Sequence, residues 1–195
     1  LTGARIHDLT RRGKFLLFHL RKDRREYRLL GHLGMTGRMY VQAAKDPLPK
    51  HAAVDLELGA KRFVYEDTRY FGRFTLDVST VDQLGPEPLE EDFSAAEFRI
   101  ALKRSAQAVK VKLLDQALVA GVGNIYASEA LFRAGISPRK AARRLTARET
   151  GRLHGTIRDV LADAIACGST IPLDFAGTGK RDGLFYYGRA SGAAD

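Results

Sequence analysis

FTLDVSTVDQLGPEPLEEDFSAAEFRIALKR, Phe74 to Arg104, holds the change of rhythm that decides the fold. Before Leu84-Gly85-Pro86-Glu87-Pro88 apolar residues alternate with polar ones; after it they recur with a period of about 3.6 residues. Alternation sends successive side chains to opposite faces of a strand, whereas the longer period lines one face of a helix. A glycine and two prolines suit neither, so the boundary between the regimes falls there. Toward the N-terminus, Lys14 to Leu20 (KFLLFHL), Glu26 to Leu33, Gly37 to Gln42, Ala53 to Leu58, Arg62 to Glu66 and Phe74 to Val78 read as short strands. Leu58-Gly59-Ala60-Lys61 reads as a hairpin turn, and Ala43 to His51, with Pro47 and Pro49, as a flexible excursion. Strands without intervening helices imply an antiparallel sandwich or barrel. Toward the C-terminus, Ser94 with Glu97 and Thr146 with Glu149 are capping-box signatures, the second opening a long helix to about Cys167. Between them lie a short helix near Lys110 to Asp115, turns from Gln116 to Gly123 and a helix from Asn124 to Ala134. The fold class is α+β: an antiparallel β-sandwich over 1–83, a linker over 84–93 and a helical domain over 94–195.

Of the 195 residues 45% are hydrophobic and 28% charged, which suits a globular protein. No run approaches the roughly 20 apolar residues that span a bilayer, and no signal-peptide pattern opens the chain, so a cytoplasmic location without membrane association is expected. The single Cys167 excludes an internal disulfide and reads as an inert core residue; no zinc-ligand cluster can be assembled. Thirty-two Lys and Arg against 23 Asp and Glu give a net charge of +9, which attracts polyanions. The excess is concentrated. Arg5, Arg11, Arg12, Lys14, Arg21, Lys22, Arg24, Arg25 and Arg28 crowd residues 1–30, and Arg133, Arg139, Lys140, Arg143, Arg144, Arg148 and Arg152 face only Glu149 in 133–152. Two basic regions predict a nucleic acid gripped from two sides.

Four segments could carry chemistry, and each has two readings. Lys14, in Arg11-Arg12-Gly13-Lys14, is either a solvated charge or an amine whose pKa falls in electropositive surroundings. Met35, in Gly31-His32-Leu33-Gly34-Met35-Thr36-Gly37, is either a partly buried filler or an apolar wedge of the kind that fills the space left by an everted base. Glu66 to Arg73 (EDTRYFGR) is either a hairpin with cross-strand aromatic packing or a set of arginines and aromatics for phosphate and base. Gly121-Val122-Gly123-Asn124 is either an ordinary capped turn or a helix N-terminus that receives phosphate.

Taken together, RRGKFLLFHL, GHLGMTGRM, KHAAVDLEL, EDTRYFGRF, LGPEPLEEDF, KVKLLDQALVAGVGNIYASEALFRAGISP and YGR resemble the bacterial formamidopyrimidine-DNA glycosylase family over nearly the whole chain. The resemblance implies an N-terminal β-sandwich and a helical domain whose helix-two-turns-helix motif spans about Val109 to Ala134. It implies base-excision repair of double-stranded DNA carrying an oxidised purine or an abasic site, by a monomer. In the family an N-terminal proline amine attacks the sugar of an everted base, a Schiff base forms, and elimination cuts the strand. Lys14 matches the lysine of proton transfer; Met35, Arg69 and Phe71 match the void-filling triad; His51, Lys110 and Asn124 match phosphate contacts, and Arg69 faces the orphaned cytosine. Gly168-Ser169-Thr170 and the loop to Gly183 match the region that closes over the damaged base.

There are departures. The sequence begins at Leu1, without the Pro-Glu start, and ends shortly after Tyr187-Gly188-Arg189, where the family continues into a four-cysteine zinc hairpin. A chain shortened at both ends, impaired in catalysis and free of a cofactor is the resulting expectation. Tyr70 stands where a second arginine is frequent, and Ala106 where a DNA-contacting lysine is, with Lys103 and Arg104 as substitutes. The alternatives are an endonuclease VIII-like pyrimidine glycosylase, disfavoured by HLGMTG and DTRYFG, a non-catalytic module that binds lesion DNA, and a basic RNA- or ribosome-binding protein.

Overall fold

In the computed structural model, which describes residues 2–166, the strand-rich half forms two antiparallel sheets. Cys167, the Gly168 to Gly183 loop and the terminal Tyr187-Gly188-Arg189 lie outside the described residues. The chain divides into two units, Leu1–Asp82 and Gln83–Asp195.

In the first unit, one sheet has the order β1 (Arg5–Arg12), β2 (Phe15–Lys22), β3 (Arg25–His32) and β7 (Arg73–Thr75). The other has the order β4 (Arg38–Ala43), β6 (Lys61–Glu66) and β5 (Ala52–Leu58). Phe18, Leu20 and Leu29 from the first sheet meet Phe63 and Tyr65 from the second, which makes the expected sandwich core. Phe18 packs edge-on against Phe63 and Phe74, with ring centroids 5.3 and 5.7 Å apart. Burying side chains of this size stabilises the pairing by roughly 2 kcal/mol each. The turn at Gly59 forms as expected, with a positive φ of 71° that glycine adopts without strain.

The structure departs from the sequence reading in three places. RIHDLTRR forms β1, although no apolar alternation marks it, because it is an edge strand paired with β2 and mostly exposed. Charged side chains on such an edge discourage further strands from adding. The strand expected over Phe74 to Val78 is only Arg73–Thr75, and a single helical turn, α1 (Ser79–Asp82), follows it. The Ala43 to His51 excursion is irregular but tied down, with Gln42 Nε2 donating to Asp46 O (3.4 Å) and Pro47 O (3.2 Å).

The second unit is helical: α2 (Ala95–Lys103), α3 (Val109–Leu114), α4 (Asn124–Arg133) and α5 (Ala147–Ala166), with a short 3-10 turn at Ala142–Arg144. Ser94 Oγ accepts from Ala96 N (3.3 Å) at the start of α2. The capping box of α5 is complete: Thr146 N donates to Glu149 Oε2 (2.8 Å) and Glu149 N to Thr146 Oγ1 (3.2 Å). Gly135, at φ 61°, ends α4 in a Schellman motif, with Ile136 N bonded to Leu131 O and Gly135 N to Phe132 O, both at 3.0 Å. Gln116 shapes the turns between α3 and α4: its Nε2 donates to Val122 O (2.9 Å) and its Oε1 accepts Gly121 N (3.0 Å). Leu113, Val119, Val122, Leu131, Leu153 and Ile157 fill the core that holds these helices together.

Candidate nucleic-acid interface

Strand register fixes what gathers at one end of the first unit. Phe15 pairs with His32, and His32 with Arg73, so β2 begins where β3 ends and β7 begins. Arg38 and Ala52 both pair with Glu66, so β4 and β5 begin where β6 ends. Two side-chain bonds join these sheet ends: Tyr65 OH donates to His32 O (3.4 Å) and Thr36 Oγ1 to Asp67 Oδ1 (2.6 Å). Lys14, the Leu33 to Gly37 loop with Met35, His51 and the Thr68 to Gly72 loop with Arg69 and Phe71 all adjoin these strand ends.

Side-chain exposure removes the core-packing reading of the apolar residues. Met35 is 67% exposed and Phe71 58%, so neither is a core filler, and Phe71 is not packed across a hairpin. The Arg69 guanidinium lies 4.6 Å from the centroid of the Phe71 ring, a cation-π pair presented at the surface. Tyr70, between them, is also exposed and has a left-handed φ of 54°, a conformation that is strained for a residue with a Cβ.

Lys14 sits in the turn between β1 and β2 and is exposed as a whole residue. Neighbouring protein atoms nevertheless take water from its ammonium, and that desolvation lowers its pKa below 10.5. Burial, and then the positive charges of Lys14 and Arg73, lower the pKa of His32 in the same way. Three basic groups therefore crowd this end of the sheet. The half-buried His51 accepts Asp67 N through its backbone oxygen (3.0 Å).

Asp67 lies within EDTRYFGR, a segment in which the sequence assigns roles to the arginines and aromatics only. It is fully buried. Its Oδ1 accepts from Thr36 Oγ1 and Arg69 N (3.2 Å), and its Oδ2 from Tyr65 OH (3.1 Å) and Gly72 N (2.9 Å). Burial alone would raise the carboxyl, but the four donors outweigh it and hold its pKa at about 2. Burial and the bond to Asp67 push Tyr65 up to about 12. An acid that opens a tight turn and is followed by glycine was the available signal, since Asp readily accepts from backbone N–H groups two residues on.

In the second unit, Lys110 is half-buried in the first turn of α3, with its backbone N–H on Pro138 O (3.3 Å). Asn124 is exposed and opens α4 directly after Gly123, which has no side chain with which to cap it. α3 and α4 pack together, so the turns joining them bring Lys110 and Asn124 into one helix-turns-helix element. Of the two residues named in place of a lysine at 106, Lys103 donates its ammonium to Arg143 O (2.9 Å), while Arg104 is exposed. Among the described residues no group of three or more His, Cys, Asp or Glu could hold a metal ion, and no helix is long and apolar enough to cross a membrane.

Comparison with known proteins gives a consistent result. A family model described as the formamidopyrimidine-DNA glycosylase N-terminal domain matches residues 1–74, and one described as the H2TH domain of the same glycosylase matches residues 84–174. A formamidopyrimidine-DNA glycosylase of Desulfitobacterium hafniense is 42% identical over 190 residues, covering 94% of this chain and 68% of the relative. One of Thermus thermophilus is 44% identical over 175 residues, covering 86% and 62%. Among solved structures, MutM in complex with DNA containing carbocyclic 8-oxo-G superposes with a TM-score of 0.82 at 36% identity, covering 92% of this chain and 68% of that one. Lactococcus lactis Fpg in complex with abasic-site DNA gives 0.79 at 36% identity, covering 87% and 64%. The chain thus spans about two thirds of the length of the relatives it matches.

Proposed function

Because the chain belongs to the formamidopyrimidine-DNA glycosylase family, we propose that it recognises duplex DNA containing an oxidised purine or an abasic site, as part of an enzyme that everts and removes the base. The observation that carries this reading is the exposure of Met35 and of the stacked Arg69–Phe71 pair on two loops that the Thr36–Asp67 bond joins across 31 residues. Exposed apolar side chains are costly in water, but they become useful once a base has left the stack. They fill the vacated space and offset part of the few kcal/mol lost on unstacking. Arg69, stacked on Phe71, offers guanidinium donors to the base left without its partner.

In this reading Lys110, Asn124 and His51 contact phosphates, which positions the duplex without reading its sequence. Lys14 moves protons during the elimination that cuts the strand, a task its lowered pKa favours because a larger fraction of the amine is neutral near pH 7. The N-terminal proline of the family mechanism is not among these residues, so recognition and chemistry are tested separately. Recognition is measured as affinity for a duplex with 8-oxoguanine opposite cytosine, for one with an abasic site and for the undamaged duplex, at a single salt concentration. A preference for the damaged duplexes of about tenfold or more is expected; equal affinity for all three would overturn the proposal. Chemistry is measured by borohydride trapping on the abasic duplex, where a covalent adduct shows that an amine of this chain forms the Schiff base.

A further inference from the structure

A carboxylate removed from water is tolerated only when hydrogen bonds replace the lost hydration. Among the described residues Asp67 meets that condition with four donors and no paired cation: Thr36 Oγ1 at 2.6 Å, Gly72 N at 2.9 Å, Tyr65 OH at 3.1 Å and Arg69 N at 3.2 Å. The sources of these donors matter. Thr36 follows Met35 directly, the Arg69 N–H belongs to Arg69 itself, and Gly72 follows Phe71 directly. Each of the three exposed side chains is thus held at its own backbone, or one residue away, by one buried charge. Tyr65, rooted in β6, ties that charge to the sandwich core.

The backbones of the two loops also touch. A Cβ on Gly34 would fall 2.7 Å from Gly72 N and 2.8 Å from Phe71 C, and one on Gly72 would fall 1.4 Å from the Tyr65 hydroxyl. The two loops are in direct backbone contact, with no room for a side chain between them. Tyr70 keeps its strained φ of 54° between the Arg69 and Gly72 bonds, as expected where the surroundings over-determine a backbone.

We propose that Asp67 is the positioning residue of lesion recognition: its carboxylate locks the Met35 loop to the Arg69–Phe71 loop, so that the three side chains enter the duplex as one preformed wedge. The proposal rests on the wedge reading given above. Ordering these residues only when DNA binds would weaken lesion binding, because their immobilisation would be charged against it. Undamaged DNA, whose stack stays closed, would gain nothing from the preformed wedge.

The test uses Thr36→Val, Asp67→Asn and Met35→Ala, each measured on an abasic-site duplex and on the undamaged duplex, with thermal unfolding as the control for folding. Thr36→Val keeps the shape and deletes the single bond that joins the Met35 loop to Asp67. It is expected to lower the ratio of damaged to undamaged affinity by about tenfold, the scale of one lost hydrogen bond to a charge, and to leave undamaged binding within about twofold. In a Met35→Ala background the same substitution should have almost no effect, since the side chain it positions is gone; a merely structural role would not produce that coupling. Asp67→Asn should lose more, because its NH2 must face either the Arg69 N–H or the Gly72 N–H, each of which can only donate. If Asp67→Asn does not fold, Thr36→Val and its coupling to Met35→Ala still decide the matter. If the wild type prefers damaged DNA and Met35→Ala reduces that preference, but Thr36→Val leaves it unchanged or acts equally in both backgrounds, Asp67 is an ordinary structural clip and this proposal is overturned. If the wild type shows no preference, or Met35→Ala does not alter it, the wedge reading itself fails.

Discussion

Glu149 offers a direct test of how the helical unit is held together. Its carboxylate accepts from Lys140 Nζ through both oxygens (2.6 and 2.9 Å) and from Thr146 N (2.8 Å), which fixes the start of the longest helix. The lysine bond first, and then the Thr146 N–H, bring its pKa from 4.5 to about 2. Linkage would convert that shift to roughly 3 kcal/mol. The side chain is 21% exposed, so solvent screens part of this, and about 1 to 2 kcal/mol is a sounder expectation, close to one cap plus one ion pair. The carboxyl pKa is depressed on folding. Its contribution is therefore fully present above the unfolded value of 4.5 and is lost as the pH falls toward 2. Glu149→Gln keeps an oxygen for the Thr146 N–H but loses the charge. In thermal unfolding followed by the helical far-UV signal, the variant should melt about 4 to 8 °C below the wild type near neutral pH. The gap should narrow steadily below about pH 4.5 and nearly close by about pH 2. A gap of constant size across that range would refute an electrostatic origin, and no gap near neutrality would show that the charge and its ion pair with Lys140 contribute nothing.

Lys14→Arg keeps the charge but cannot release a proton near neutrality, so strand cutting at an abasic site by the complete enzyme should fall at least about a hundredfold with DNA affinity nearly unchanged; equal losses of both would make Lys14 a simple contact. Lys110→Ala and Asn124→Ala should weaken damaged and undamaged duplexes alike, and Lys110→Ala should flatten the salt dependence by roughly one unit of slope, read from affinities at several ionic strengths. Tyr70→Gly should raise thermal stability by up to about 1 kcal/mol, because it removes a left-handed tyrosine whose ring is exposed; a loss of stability would show that the ring makes contacts worth more than the strain.

The sequence reveals an element where burial leaves a periodic trace. KFLLFHL could be read as a strand because Leu17, Phe18 and Leu20 are buried. The capping box before α5 could be read because its partners lie within one helical turn, whereas at α2 only the Ser94 cap forms, on Ala96 N, and Ser94 N bonds Asp92 O rather than Glu97. RIHDLTRR left no such trace. It is an edge strand whose side chains mostly meet water, so its pairing with β2 rests on backbone bonds that composition does not record.

The same distinction divides the candidate site. Met35 stands out as an apolar residue at the tip of a glycine-rich turn and Phe71 as an aromatic set among arginines, and both are exposed. Asp67 did not stand out, although it holds the two loops together. Its bonds to Arg69 and Gly72 are local and a turn reading could have supplied them, but the bond to Thr36 crosses 31 residues and exists only because β4 pairs with β6 and brings both loops to one end of the sandwich. A sequence shows which side chains are out of place in water. Which buried charge keeps them there depends on strand register, because only the pairing of β4 with β6 brings Thr36 to Asp67.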